Sequence, residues 1–248
     1  MNERFGRLAA PWLCAGALAA AVGPVAASEW GYGGENGPAK WSSLKPEFGA
    51  CLGRNQSPVD IAATIDAVLP PLTFAYRAAA TDVVNNGHTV QVNYGPGSTV
   101  KIDGIAFELK QFHFHSPSEN RVSGKAYPLE AHLVHADKDG NLAVVAVFFQ
   151  EGPANPALGA VWAQMPKAPG QKNAAPPALS AAALLPANRD YWRYNGSLTT
   201  PPCTEGVRWI VMKHAGTVSK EQVAAFGATL GFANNRPVQA VNARPVLR

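Results

Sequence analysis

A single, mostly β domain with short helices at its periphery is the fold this sequence predicts, and three observations carry that prediction. The chain has 248 residues, enough for one sizeable core. From Leu72 onward, short apolar runs rich in β-branched residues alternate with turn signals. Neither a composition shift nor an internal repeat marks a second domain. Hydrophobic residues make up 47% of the chain and charged residues 15%, a globular composition that excludes a disordered polymer.

In chain order, residues 1–27 stand apart. Arg4 and Arg7 precede an apolar run from Leu8 to Val22, and Val25 and Ala27 occupy the small-residue positions before a cut ahead of Ser28. That order reads as a secretory signal peptide, so residues 28–248 are expected as the mature domain, periplasmic or secreted. A retained membrane anchor is the alternative, weakened by Pro11, Pro24 and the glycines that interrupt the span. Of 21 basic and 17 acidic residues, the leader removes Arg4, Arg7 and Glu3, leaving a weak formal charge of +3. With no dense Lys/Arg cluster, nucleic acid is not an expected partner. Cys14 leaves with the leader, and Cys51 and Cys203 remain as an even pair in an oxidising compartment. One disulfide is expected, against two buried free thiols.

Trp30 to Pro58, rich in Gly, Pro, Ser and aromatics, reads as an irregular wrap anchored by Trp30, Tyr32 and Trp41. Strands are expected over residues 72–76, 82–86, 89–94, 99–102, 105–114, 129–135 and 142–149, the last two joined by a hairpin turn at 136–141. Residues 155–187 read as surface connections tacked down by Leu179 and Leu184, and residues 209–212 as another buried strand. Helices are expected at 157–165 and 219–230, the second capped by Ser219.

Within the strand at 105–114 and just beyond it, Gln111, His113 and His115 recur every second residue and so share one face. Glu130 and His132 do the same on the next long strand. If the two strands pair antiparallel, three imidazoles converge and leave a fourth tetrahedral position for water, the arrangement of a catalytic zinc site. Glu130 is then a partner for a ligand's other ring nitrogen. His135, at an odd offset from His132, points away and reads as packed or surface, and His214 reads as structural. His88, in the turn Asn86-Gly87-His88, fits a cavity rim or an ordinary exposed position. In Gly196 to Cys203, two prolines after Thr199 and Thr200 are expected to fix an extended backbone that offers a hydroxyl and an amide to an anion. A rigid loop stapled by Cys203 is the plain alternative.

These segments together carry a resemblance. Gln111-Phe112-His113-Phe114-His115 with Ser118-Glu119, then Glu130-Ala131-His132-Leu133-Val134-His135, then Gly196 to Pro202 resemble, in order and spacing, an α-class carbonic anhydrase of the bacterial exported kind. The match runs from about Trp30 to Arg236. The resemblance implies a large central, mostly antiparallel twisted sheet and a Zn2+ ion held by His113, His115 and His132, with Gln111 and Glu130 orienting His113 and His132. It implies that Glu119 accepts the Thr199 hydroxyl proton, so that Thr199 accepts in turn from zinc-bound hydroxide. Val134, Val144, Leu198, Val207 and Trp209 resemble the apolar wall that receives carbon dioxide. Tyr32, Asn86, Gln91 and Thr200 resemble the solvent network, and His88 stands at the proton-shuttle position. Cys51 and Cys203 resemble the disulfide of exported members. Asn120 departs from the pattern, standing where many relatives have a buried histidine, so an altered support network is expected.

The reaction implied is reversible hydration of carbon dioxide to bicarbonate and a proton, with ester hydrolysis as a side activity and anions or sulfonamides as inhibitors. A homodimer stays open. A zinc hydrolase for small esters and a catalytically silent binding module are the competing readings, the second opposed by the complete set of His113, His115, His132, Glu119 and Thr199.

Overall fold

The computed structural model describes Met1 and residues 29–248, so the expected signal peptide lies, apart from Met1, outside the described residues. The N-terminal wrap carries one helical turn, α1 (Trp41–Leu44), and a 3-10 stretch over Pro46–Leu52. Strands β1 (Asp60–Ile61), β2 (Thr73–Ala75), β3 (Ala80–Asn85), β4 (Val90–Tyr94), β5 (Thr99–Ile102) and β6 (Ile105–His115) follow. After β7 (Arg121–Val122) come the two long strands β8 (Leu129–Ala136) and β9 (Leu142–Glu151), then helix α2 (Pro156–Trp162) and β10 (Lys172–Ala174). The chain ends with β11 (Tyr191–Ser197), β12 (Glu205–Met212), β13 (Gly216–Val218) and helix α3 (Lys220–Leu230) before an irregular C-terminal segment.

Among the described residues, eleven strands form one sheet whose main path runs β10-β3-β4-β6-β8-β9-β12-β11, with β5 on β6, β2 on β5 and β13 on β9. Within this sheet only β12 and β13 join β9 in parallel and the remaining pairs are antiparallel, as expected, while β1 and β7 form a separate parallel pair. The centre of the sheet is covered on both faces. Hence β9 reads Leu-Ala-Val-Val-Ala-Val-Phe-Phe with no polar alternation, and residues 143–149 are all buried. One face packs Leu129, Ala131, Leu133, Phe112 and Phe114 against α2, α3 and the 3-10 turn at 181–184. The other face packs Val144, Ala146 and Phe148 with Val207 and Trp209.

An irregularity in β6 decides which face receives the histidines. The β6–β8 register passes from Leu109 opposite His135 to Gln111 opposite Val134, leaving Lys110 as an extra, unpaired residue. Before it, Phe107 and Leu109 point to the first face; after it, Phe112 and Phe114 do. Burial of each phenylalanine stabilises by roughly 2 kcal/mol, so the arrangement that seats Phe112 and Phe114 in the core sends Gln111, His113 and His115 to the opposite face.

Helix α3 starts as expected, with a capping box between Ser219 and Gln222, and stops at Gly231, whose φ of 79° a glycine adopts freely. Residues 155–187 depart from the reading as mere connections, because Lys172–Ala174 adds a strand to the edge of the sheet against β3. All three of its residues are exposed, so no hydrophobic alternation signalled it. Beyond Ser197, the last residue of β11, the segment is not extended either. Cys203 N donates to Thr200 O at 2.9 Å, closing a turn around a cis Pro201–Pro202 peptide, the arrangement of turns with proline at their third position.

Cys51 and Cys203 form the expected disulfide across 152 positions, tying the N-terminal wrap to this turn. Arg236, buried under Trp41, spans the join: its guanidinium donates to Cys51 O, Ser57 O and Gln56 Oε1, while Gln56 Nε2 donates to Cys203 O. Among the described residues, no helix is long and apolar enough to cross a membrane.

Candidate active site

Antiparallel pairing sets His113 directly opposite His132, with His115 opposite Glu130 and Gln111 opposite Val134. Ligand atoms of His113, His115 and His132 lie within 4.8 Å of one another. Two of the imidazoles are held by a hydrogen bond at the other nitrogen, and the third lies against a carboxylate. His113 Nδ1 meets Gln111 Oε1 at 2.8 Å, His115 Nδ1 meets the Asn234 carbonyl at 2.7 Å, and His132 Nε2 lies 3.0 Å from Glu130 Oε1. A carbonyl oxygen only accepts, so Nδ1 of His113 and of His115 carries the proton and Nε2 of each presents a lone pair, while His132 Nε2 completes no hydrogen bond among the described residues. Burial holds all three imidazoles below their ordinary pKa, hence neutral. His115 Nε2 is buried without a hydrogen-bond partner. A buried orphan acceptor facing two others is what a cation would satisfy, so the donor set fits a metal ion.

Around this cluster, Glu130 is fully buried and burial raises its pKa to about 7, against the pull of Asn120 and two backbone amides. Glu119 is buried beside it and pushed well above the usual carboxylate range, although the Arg236 N–H and Thr199 hold it down. Arg236 N donates to Glu119 Oε1 at 2.8 Å. The other oxygen, Oε2, lies 3.5 Å from His115 Nε2 and 3.8 Å from His132 Nδ1 and completes no hydrogen bond among the described residues. Thr199 adjoins Glu119 and draws its pKa down through its side chain.

Val134, Val144, Leu198, Val207 and Trp209 gather into one apolar cluster beside His132, with Val134 paired to Val144 and Val144 to Trp209. Gly196 permits this approach, because a Cβ there would stand 2.0 Å from Ser57 Oγ. On the polar side, a cavity of about 110 Å³ brings together Tyr32, Asn86, His88, Gln91 and Thr200 with His113 and His115. Asn86 Oδ1 accepts from the backbone N–H of His88 and of Thr89, so its side chain shapes the turn that presents His88. His88 is half-buried and stacks on Trp30 with ring centres 3.7 Å apart and planes 7° from parallel. Burial lowers its pKa and raises that of Tyr32, which stays a neutral phenol.

His135 points away from the cluster, as expected, and is buried on the opposite face, where its Nε2 meets Tyr76 Oη at 2.6 Å. His214 is exposed. Three participants escaped sequence reasoning in these roles. Asn234 comes from the irregular C-terminal segment, where no periodicity marks a strand. Arg236 follows it there. Trp30 was legible only as an aromatic anchor, and its contact with His88 depends on the path of the wrap.

Sheet and side chains together define a class: a single-domain enzyme on a large twisted sheet, organised around three histidines able to hold a metal ion. Comparison with known proteins narrows the class. The model of the eukaryotic-type carbonic anhydrase family matches residues 36–248. A carbonic anhydrase of Pectobacterium carotovorum is 46% identical over 219 residues, covering 88% of this chain and 90% of that protein. The α-carbonic anhydrase of Thermovibrio ammonificans, solved with the inhibitor sulfanilamide, superposes with a TM-score of 0.87 at 53% identity over 88% of this chain and 98% of that one. The Photobacterium profundum α-carbonic anhydrase gives 0.84 at 50% identity over 88% and 100%. The chain belongs to the eukaryotic-type carbonic anhydrase family.

Proposed function

We propose that residues 1–27 direct export, that residues 28–248 are the catalytic domain in the periplasm or outside the cell, and that this domain hydrates carbon dioxide reversibly at a zinc ion held by His113, His115 and His132. The observation that carries the reading is the convergence of three neutral imidazoles, two of them tied back by a hydrogen bond at the other nitrogen, next to an apolar wall. Zinc bound there supplies the Lewis acidity that makes water a nucleophile near neutral pH.

The residues do the rest. Val134, Val144, Leu198, Val207 and Trp209 offer a small uncharged substrate a surface without competing donors. Thr199, with Glu119 taking its hydroxyl proton, accepts a hydrogen bond from the nucleophile and so aims it. Tyr32, Asn86, Gln91 and Thr200 line the polar path along which a proton passes to His88 at the rim. Ester cleavage is expected at the same centre, and the sulfanilamide complex of the Thermovibrio ammonificans relative supports sulfonamides as inhibitors.

His132→Ala tests the assignment. With two imidazoles left, the purified variant is expected to lose most of its zinc and nearly all hydration, read by elemental analysis and stopped-flow. Full zinc with undiminished turnover would sink it.

A further inference from the structure

We infer that Asp82 and Asn93, neither of which lines the cavity beside His113, fix the direction of the Gln91 amide so that its oxygen rather than its nitrogen faces that cavity. The inference rests on the carbon dioxide reading above and adds two positioning residues to its proton path. Register brings the side chains together. Gln91 stands opposite His113 on β6, and Asn93 stands opposite Asp82 on β3. Alternate residues of a strand share a face, so Gln91 and Asn93 project to the same side of β4.

Gln91 Nε2 donates to Asn93 Oδ1 at 2.7 Å, and Asn93 Nδ2 donates to Asp82 Oδ1 at 2.8 Å. An amide turned over keeps its shape, so the link between Gln91 and Asn93 taken alone could run either way. Asp82 breaks that symmetry. A carboxylate has lone pairs and no proton to give, so the Asn93 atom against it is the nitrogen, and the Asn93 atom against Gln91 is the oxygen. That oxygen calls for a donor, which Gln91 Nε2 supplies. Thr81 only donates here, its Oγ1 lying 2.8 Å from Asp82 Oδ2 and 3.3 Å from the Asn93 carbonyl.

With its nitrogen committed to a residue outside the cavity, Gln91 has Oε1 left for the space of about 110 Å³ that it shares with Tyr32, Asn86, His88 and His113. Water moving between His113 and His88 therefore meets an acceptor at Gln91. It gives Gln91 a hydrogen and keeps its own lone pairs free to receive the travelling proton. Turned over, the amide would donate to that water and occupy one of those lone pairs. The direction of the chain thus bears on proton movement and leaves attack on carbon dioxide at the apolar wall unaffected.

An amide at position 82 donates as readily as it accepts, so Asp82→Asn frees the whole chain to reverse. Combining it with Asn93→Asp moves the carboxylate next to Gln91, where one oxygen accepts from Gln91 Nε2 and the other from the new amide. In the zinc-loaded protein, stopped-flow hydration in weak buffer is expected to show kcat about threefold lower for Asp82→Asn, with kcat/KM within about 1.5-fold of the parent. The double variant is expected to return kcat to within about 1.5-fold. A disturbed fold would lower both constants, and moving the charge would not mend it. Neutron diffraction from the perdeuterated parent reads the direction without reference to activity, and the amide deuterons are expected on the Gln91 atom beside Asn93. Deuterons on the cavity side overturn the inference, as does an unchanged kcat in Asp82→Asn or a double variant no better than the single one. Should the variants fail to fold, the neutron map decides. A parent without hydration activity overturns the functional reading instead, and the neutron map still decides the direction of the amide.

Discussion

At the scale of single residues, His88 separates proton movement from carbon dioxide chemistry. It sits on the Asn86 turn, stacked on Trp30 and sharing a cavity with His113 and His115, without being one of the three clustered histidines. His88→Ala is therefore expected to lower kcat in weak buffer about tenfold and to leave kcat/KM nearly unchanged. An imidazole buffer should restore most of the loss. Stopped-flow hydration across a buffer series checks this, and equal falls in kcat and kcat/KM would place the damage at the carbon dioxide step instead. His113, His115 and His132 were legible from the sequence because strand period two is strict once a strand is recognised. Asn234 was not, because a backbone carbonyl that takes the His115 proton leaves no trace in side-chain identity.

At the scale of elements, β8 carries two histidines with opposite fates. His132 faces the site, whereas His135 lies in the core with Nδ1 toward the Ala143 carbonyl and Nε2 accepting from Tyr76. Burial depresses its pKa from 6.5 to about 4. A histidine held neutral in the fold but free to charge when unfolded contributes stability that is full above pH 6.5. That contribution falls away as pH drops toward 4, by about 3 kcal/mol in all. Urea unfolding between pH 7 and 4 should show this loss, and His135→Gln should flatten it; parallel pH slopes for the two proteins would refute the assignment. Long elements were legible here: β6, β8, β9 and α3 announce themselves by apolar runs or caps. The short strands β10 and β13 owe their existence to neighbours rather than to their own composition. The Thr199 turn was misread as extended because the isomer of the Pro201–Pro202 bond is not written in the sequence.

At the scale of the whole molecule, the Cys51–Cys203 disulfide and Arg236 join the N-terminal wrap, the Thr199 turn and the C-terminal segment. Replacing both cysteines by serine is expected to lower unfolding free energy by about 2–4 kcal/mol while the folded protein keeps its zinc. Denaturant titration with metal analysis measures both, and unchanged stability would argue against the link as a structural tie. The mainly β class and the antiparallel pairing of the two histidine strands could be reasoned from the sequence. The order of eleven strands could not, because which strands adjoin β9 in parallel depends on distant packing.

Lys110 bears on the molecule in a different way. It is exposed, and nothing in the site touches it, so its side chain is interchangeable. Its place outside the ladder is not. Were Lys110 to pair opposite Val134, every later residue of β6 would slip by one, and Phe112 rather than His113 would stand across from His132. The site is thus addressed by a single skipped rung as well as by chemistry: a pairing that closed the bulge around Lys110 would exchange the contents of the two faces of the sheet beyond it.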